Sequence, residues 1–316
     1  MERTATGSDR GAIGGGAVKG GATFIAAVAL VAATSSTQAR TTVDRHHYSI
    51  TARIRPLVVF WIARNDVGDA VVTRRLGPGE ASYSLLIGSD PERAPLHINR
   101  WGYIKEEILG AESRLIGLMT ESDEDSIEQA EANVRSQATG RHPFKVIEAT
   151  ADGAQARSRV RTIAAPEDYT FRHLPVVLDL AQRNSAEGRS RVIRLPAGAR
   201  PGFLSALADA MHDPSANPIT YAYFGRLYEL RRTRTERIGS VRIGQRSYGP
   251  VIAADFVTTS TYDGERTRFS ITYGADGPFA EVPLRVVYQP RWWMQVELTI
   301  DDDGAASGAL TDGGQP

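Results

Sequence analysis

The chain has 316 residues, 41% hydrophobic and 23% charged, with 37 basic residues against 37 acidic ones and no cysteine. This is the composition of one large globular domain or two small ones, and it excludes collagen-like, coiled-coil and wholly disordered chains. Balanced charge offers no global field to a polyanion, and the missing cysteines remove disulfides, thiolate metal sites, iron–sulfur clusters and a cysteine nucleophile.

In chain order the first signal is Lys19 ahead of the apolar run Phe24–Ala33, followed by small and polar residues up to Ala39. As a helix this run spans about 15 Å, about half a bilayer core, which is too short for a membrane span. Residues 1–39 are therefore expected to be a signal peptide, with Thr37 and Ala39 at the −3 and −1 positions and a mature chain from Arg40. Periplasmic or secreted localisation follows as the expectation. No cysteine stands at the cleavage point for a lipid anchor, and no twin-arginine pair precedes the run, so no preassembled cofactor is expected.

Beyond it the dominant period is two. Tyr48, Ile50, Ala52 and Ile54 alternate with Ser49, Thr51, Arg53 and Arg55, a strand with one dry face. Leu57–Ile62 is continuously apolar and reads as a buried strand. Strands are expected at 67–76, 81–87, 97–108 and 114–119, with Gly77-Pro78-Gly79 and Gly110-Ala111 supplying hairpin turns. Helices intrude over residues 121–218. Ser126 and Gln129 have capping-box spacing. Residues 175–183 predict a short helix, and Pro201 opens another with Phe203, Leu204, Leu207, Ala208 and Met211 on one face. Strands at 144–151 and 155–163 flank Asp152-Gly153. Hairpins are expected from 221–235 with 237–246, from 251–262 with 267–273, and from 284–289 with 292–300. In the last, Trp292 and Met294 share the apolar face and Trp293 the polar one. Residues 303–316 read as a disordered acidic tail.

The predicted fold is mainly β with α additions: a large curved antiparallel sheet, a half-barrel or open barrel, in one domain over residues 40–302. Helices of the central segment cover its concavity, and the helix from Pro201 is a candidate lid that can give way to an apolar ligand. Phe256-Val257-Thr258-Thr259-Ser260, Phe269-Ser270-Ile271-Thr272-Tyr273 and Val282-Pro283-Leu284-Arg285 carry a further pattern. Through them the stretch 248–300 resembles the end of periplasmic half-barrel proteins of the LolA/LolB lipid-carrier type and related uncharacterised exported families. The resemblance implies an apolar cavity for a lipid-like ligand and no catalysis. The long central helical segment and the missing lipobox depart from the pattern, so the resemblance does not imply a membrane-anchored acceptor role.

Catalytic motifs are sparse. Gly88-Ser89 runs into Asp90-Pro91 without the second glycine of a nucleophile elbow. His46, His47, His97, His142, His173 and His212 show neither His-x-His nor His-Glu-x-x-His spacing. His97, Asn99 and Trp101 would share a strand face, where a polar structural network outweighs a functional cluster. Glu106-Glu107, Asp123-Glu124-Asp125 and Glu167-Asp168 are carboxylate pairs by composition only, and read as solvated faces or loop ends. Seven arginines (226, 231, 232, 234, 237, 242 and 246) face only Glu229 and Glu236, and Arg157, Arg159 and Arg161 alternate. Such stripes suit phosphates or an acidic partner, although arginine stems covering solvent-facing strands are the simpler reading.

The expectation is thus an exported, non-enzymatic protein that binds an apolar or lipid-like ligand in the concavity, with Trp61, Trp101, Tyr103, Trp292 and Met294 as contacts. No metal, cofactor, nucleic-acid partner or integral membrane span is expected. The alternative is an envelope scaffold or interaction protein with no small-molecule ligand, meeting an anion or an envelope protein through Arg231, Arg232, Arg234 and Trp293.

Overall fold

The computed structural model describes residues 41–55, 61–120, 141–184, 188–291 and 293–301. The expected signal peptide, most of Leu57–Ile62, the helix expected at Ser126, Trp292 and the expected tail lie outside the described residues.

The first strands are β1 (Thr42–Ile54), β2 (Ile62–Gly77), β3 (Glu80–Ser89), β4 (Trp101–Leu109), β5 (Glu112–Thr120), β6 (Arg141–Ala151) and β7 (Gln155–Pro166). Each pairs antiparallel with the one before it. Short connections such as Pro78-Gly79, with Gly79 at φ 73°, permit only that return. Helix α1 (Leu174–Arg183), strand β8 (Arg189–Arg194) and helix α2 (Phe203–His212) follow. Then come β9 (Ile219–Tyr223), β10 (Arg226–Ile238), the small hairpin β11 (Val241–Ile243) and β12 (Arg246–Tyr248), β13 (Val251–Ser260), β14 (Arg266–Gly274), β15 (Pro283–Arg291) and β16 (Met294–Ile300).

Fourteen of these strands make one curved antiparallel sheet, ordered β8-β7-β6-β5-β4-β3-β2-β1-β16-β15-β14-β13-β10-β9. The last strand thus returns to the first, Tyr48 pairing with Ile300 and Ile50 with Leu298. The ladder does not close, but its edges are stitched. Arg200, beyond β8, makes a parallel bridge to Tyr221 on β9: its N–H donates to the Thr220 carbonyl (2.8 Å) and its carbonyl accepts from Ala222 (3.0 Å). Leu195 donates to the Ala154 carbonyl on the other flank (2.8 Å), and Ala156, Leu195 and Ala222 pack together at the seam.

Period two sorts the strands onto two faces. On the inner face Tyr48, Ile50, Ala70, Leu298 and Ile300 form one core cluster. A neighbouring one joins Leu230, Phe256, Ile271 and Tyr273 to Ala206, Ala210 and Met211 of α2. On the outer face α1 seats Val177 and Ala181 against Trp101, Leu118, Phe144 and Ile163. Helix α2 touches β4 through Glu106, β9 through Tyr221 and β14 through Phe269. Those strands are far apart in the sheet order, so α2 lies in the concavity that they enclose. Among the described residues no helix is long and apolar enough to cross a membrane.

Four local expectations differ from the structure. The hairpin expected at 221–246 turns earlier, at Phe224-Gly225, both residues left-handed (φ 51° and 66°). A phenylalanine where Asn or Asp usually stands hides this turn. Strand β4 begins at Trp101, because His97 belongs to a 3₁₀ turn and has φ 53°. Strand β8 is unforeseen in the sequence, where dense arginines mask its alternation. The last hairpin turns two residues later than expected, Arg291 pairing with Met294.

Candidate functional site

The inner wall around α2 is aromatic. Phe203 packs on Tyr221 and edge-on to Phe269, with centroids 5.7 and 5.9 Å apart, and Phe269 stacks on Phe256 at 5.3 Å. Tyr221 and Tyr228 stack across the β9–β10 hairpin at 5.5 Å. At the seam, between strands β5–β8 and the β9–β10 turn, lies a cavity of about 20 Å³, lined by Leu115, Ala156, Ile193, Pro201, Ala222 and Phe224. That volume holds about one water. A larger groove, about 330 Å³, opens at one end of the last two hairpins between Tyr248, Pro250, Gly274, Phe279 and Leu284.

Polar contacts hold α2 at both ends. Its N-cap, Gly202, has no side chain to satisfy the first helical amides. Glu106 of β4 does so instead, its Oε1 accepting from the Leu204 N–H (2.7 Å) and its Oε2 from the Ser205 N–H (2.9 Å). Glu106 is 1% exposed. Burial pushes its carboxyl above the usual carboxylate range, and the two amides pull it back part of the way. At the other end His212 bonds Glu281, and Glu281 also accepts from Arg74 (2.9 Å), which is paired with Asp44 (3.0 Å). Asp209, one turn earlier, pairs with Arg200 at the seam. The Glu281 carboxylate raises the His212 pKa above its ordinary value.

Arg232 stands apart. Arg232 shares the parity of Leu230 and stands opposite Phe256 on the inner face, and a bulge after it places Arg234 opposite Asp255 on the other. Its guanidinium lies 5.7 Å from the Phe256 ring centroid. All three of its side-chain nitrogens are sealed from solvent and have no hydrogen-bond partner among the described residues; the Tyr273 hydroxyl is in the same state. Burial raises the Tyr273 pKa and the Arg232 charge draws it back, so the two groups are neighbours, without the alignment of a hydrogen bond.

The expected contact residues do not converge. Trp101 and Tyr103 are on the outer face: the Trp101 indole donates to the Tyr169 carbonyl (3.0 Å) and packs on Phe144, and burial raises the Tyr103 pKa to about 12. The β4 register, which carries Glu106 to the helix, necessarily turns odd-numbered residues away from it. Trp61 is 38% exposed beside the Arg55 guanidinium, which corrects its expected core position. Met294 is half-buried at the start of β16, opposite Ile54. The arginine group also divides. Arg231 is exposed near Glu229 (3.8 Å) and Arg234 pairs with Glu236 (2.8 Å), while Arg232 points inward. Trp293 is 6% exposed, which overturns its expected wet face, since it belongs to the turn, where its carbonyl accepts from the Arg55 N–H (2.8 Å). In the Arg157-Arg159-Arg161 stripe, Arg161 is buried on Glu148 (2.7 Å).

The polar network expected around His97 forms without it. Asn99 donates to the Glu167 and Tyr169 carbonyls (2.9 and 3.0 Å), whereas exposed His97 bonds the Pro91 carbonyl (2.9 Å). The solvated Glu106-Glu107 pair also fails for Glu106; Glu107 pairs with Lys105 at the surface (2.6 Å). One signal for Glu106 is its shared parity with Gly102, Ile104 and Ile108. Another is an apolar helix preceded by Pro201-Gly202, which has no capping side chain of its own. Among the described residues no group of three or more His, Asp or Glu side chains is arranged to hold a metal ion.

No family model and no curated protein matches the chain. Among solved structures, a β-barrel-like protein of the domain of unknown function DUF1849 from Brucella abortus is similar at 7% identity, over 83% of this chain and 97% of its own, with a TM-score of 0.45.

Proposed function

We propose that the protein is an exported, non-enzymatic binding protein of the cell envelope, taking an apolar, lipid-like ligand into the volume that α2 fills. The observation that supports this reading most is the way α2 is held: its apolar side rests on an aromatic wall, while its fixed bonds are polar contacts at its two ends. Dispersion contacts with an aromatic wall are non-directional, so an acyl chain can replace helix side chains there with little loss. The groove beside Phe279 and Leu284 is of the size of small-molecule sites and supplies a way in near the His212–Glu281 contact. The test is native mass spectrometry of protein purified from its own host, together with uptake of a neutral fluorescent apolar dye. Copurified lipid or saturable uptake supports the reading, and the absence of both overturns it.

A second reading, an envelope scaffold with a permanently filled concavity, is favoured by the inner cavity of only about 20 Å³. It predicts no dye uptake, and crosslinking in cells that repeatedly traps one envelope protein.

A further inference from the structure

A guanidinium carries five N–H donors and a permanent charge, and arginine is almost never buried without a partner. Arg232 breaks that rule, since its nitrogens are sealed and no described residue bonds them. Other cations of the inner face are engaged, Arg74 with Asp44 and Glu281 and Arg200 with Asp209. Among the described residues no carboxylate pairs with Arg232. A polar neighbour, the Tyr273 hydroxyl, is itself unbonded among the described residues, and Tyr273 precedes Gly274, which lines the open groove. Ala210 and Met211 of α2 belong to the same cluster as Phe256 and Tyr273, so the helix end held by Glu281 covers this spot.

We propose that Arg232 and Tyr273 form the headgroup site for an anionic amphiphile, a long-chain carboxylate, whose tail lies along the aromatic wall. This rests on the ligand-binding reading above and names its ligand class. One positive charge matches one negative charge. The planar guanidinium fork addresses both carboxylate oxygens, and the phenol hydroxyl adds a third donor. A phosphate head with a second charge would need a further free cation at the same place. Tyr273 adjoins Gly274 of the groove, so the head lies at the groove end of the aromatic wall and the chain along the rest of it.

The test measures displacement of the neutral dye from the full mature chain by palmitate, by hexadecanol and by a lysophosphatidic acid. Wild type should prefer palmitate over hexadecanol by about tenfold, a charge-assisted bidentate contact against a neutral hydroxyl. R232M should abolish that preference, with palmitate losing far more than hexadecanol, and Y273F should weaken palmitate by a smaller factor. Without ligand, R232M should melt a few degrees higher than wild type, because an unpaired buried charge is removed. R232K, which keeps the charge and loses the fork, should recover only part of the preference. Equal binding of acid and alcohol in wild type, or a lower melting temperature for R232M, would overturn the headgroup site and leave the ligand-binding reading intact. Tighter binding of the lysophosphatidic acid would overturn the carboxylate assignment. Failure of the dye to enter wild type would instead overturn the ligand-binding reading itself.

Discussion

The Glu106 carboxylate and the Ser205 amide, 99 residues apart in sequence, are joined at 2.9 Å inside the concavity of the sheet. With the Leu204 amide at 2.7 Å, this contact does for α2 what an N-cap side chain does for an ordinary helix. It also complements the positive end of the helix dipole. A strand residue therefore fixes where the helix enters the concavity.

Replacing Glu106 with alanine should destabilise the protein by about 1–2 kcal/mol, the usual effect of losing a cap. The Glu106→Gln change should restore little of this, because the side-chain NH₂ group would face one of the two amide donors. Urea unfolding of E106A and E106Q measures both. In E106A the apolar dye should also enter faster, since one anchor of α2 is gone; an unchanged entry rate would argue against helix displacement.

Gly202 lies against the same carboxylate, so closely that a Cβ there would overlap it. Its φ of −158° is extended and any residue can adopt it, so the objection to a side chain is space alone. Gly202→Ala should destabilise by about 1–3 kcal/mol through overpacking. The loss in the double variant G202A/E106A should be smaller than the sum of the two singles, because one change relieves the clash made by the other. Simple additivity in a double-mutant cycle would contradict this account.

Stability should fall as pH rises. Glu106 has a raised folded pKa, so above its reference value of 4.5 the folded state retains a proton that the unfolded state releases, and its contribution is lost as pH climbs through the folded pKa. His212, also raised, contributes fully below its reference 6.5 and loses that contribution above it. Thermal melts across this range should therefore decline more steeply for wild type than for E106Q. Glu281→Gln should flatten the upper part of the curve. Asp90 works in the opposite sense: burial raises its pKa, but the Glu92 amide and Arg93 and Arg172 more than offset this, so its contribution is lost only on acidification.

Trp101 should be blind to the ligand. It is sealed on the outer face between Phe144 and α1, and its indole N–H is bound to Tyr169. W101F should lower stability by about 1–2 kcal/mol through the lost hydrogen bond and packing, and leave dye affinity unchanged. A variant with dye binding weakened tenfold would place the ligand on the wrong face for this account.

Much of the architecture is legible in the sequence, because alternation and short glycine turns specify antiparallel neighbours locally. Tyr48 to Ile54 and the helix after Pro201 follow from period and punctuation, as does the last hairpin except for its turn. The closing seam does not, since Arg200 and Tyr221 meet through chain geometry that no local pattern encodes. The same holds for the site. Composition groups Arg231, Arg232 and Arg234 as one stripe, whereas strand parity turns Arg232 inward with Leu230 and the bulge after it sends Arg234 to the other face. Glu106 and Glu107 look alike in sequence, and strand parity gives one a helix to cap and the other water.

In the proposed binding mode the ligand takes the place of α2. The chain has no cysteine, so a single one at Ala206, fully buried on the inner side of α2, supplies a unique thiol. The modification rate of A206C by a small thiol reagent, measured as palmitate is titrated in, tests this mode most directly. Reaction should be slow without ligand and rise saturably as palmitate binds. A thiol that stays protected while palmitate is demonstrably bound would contradict this mode.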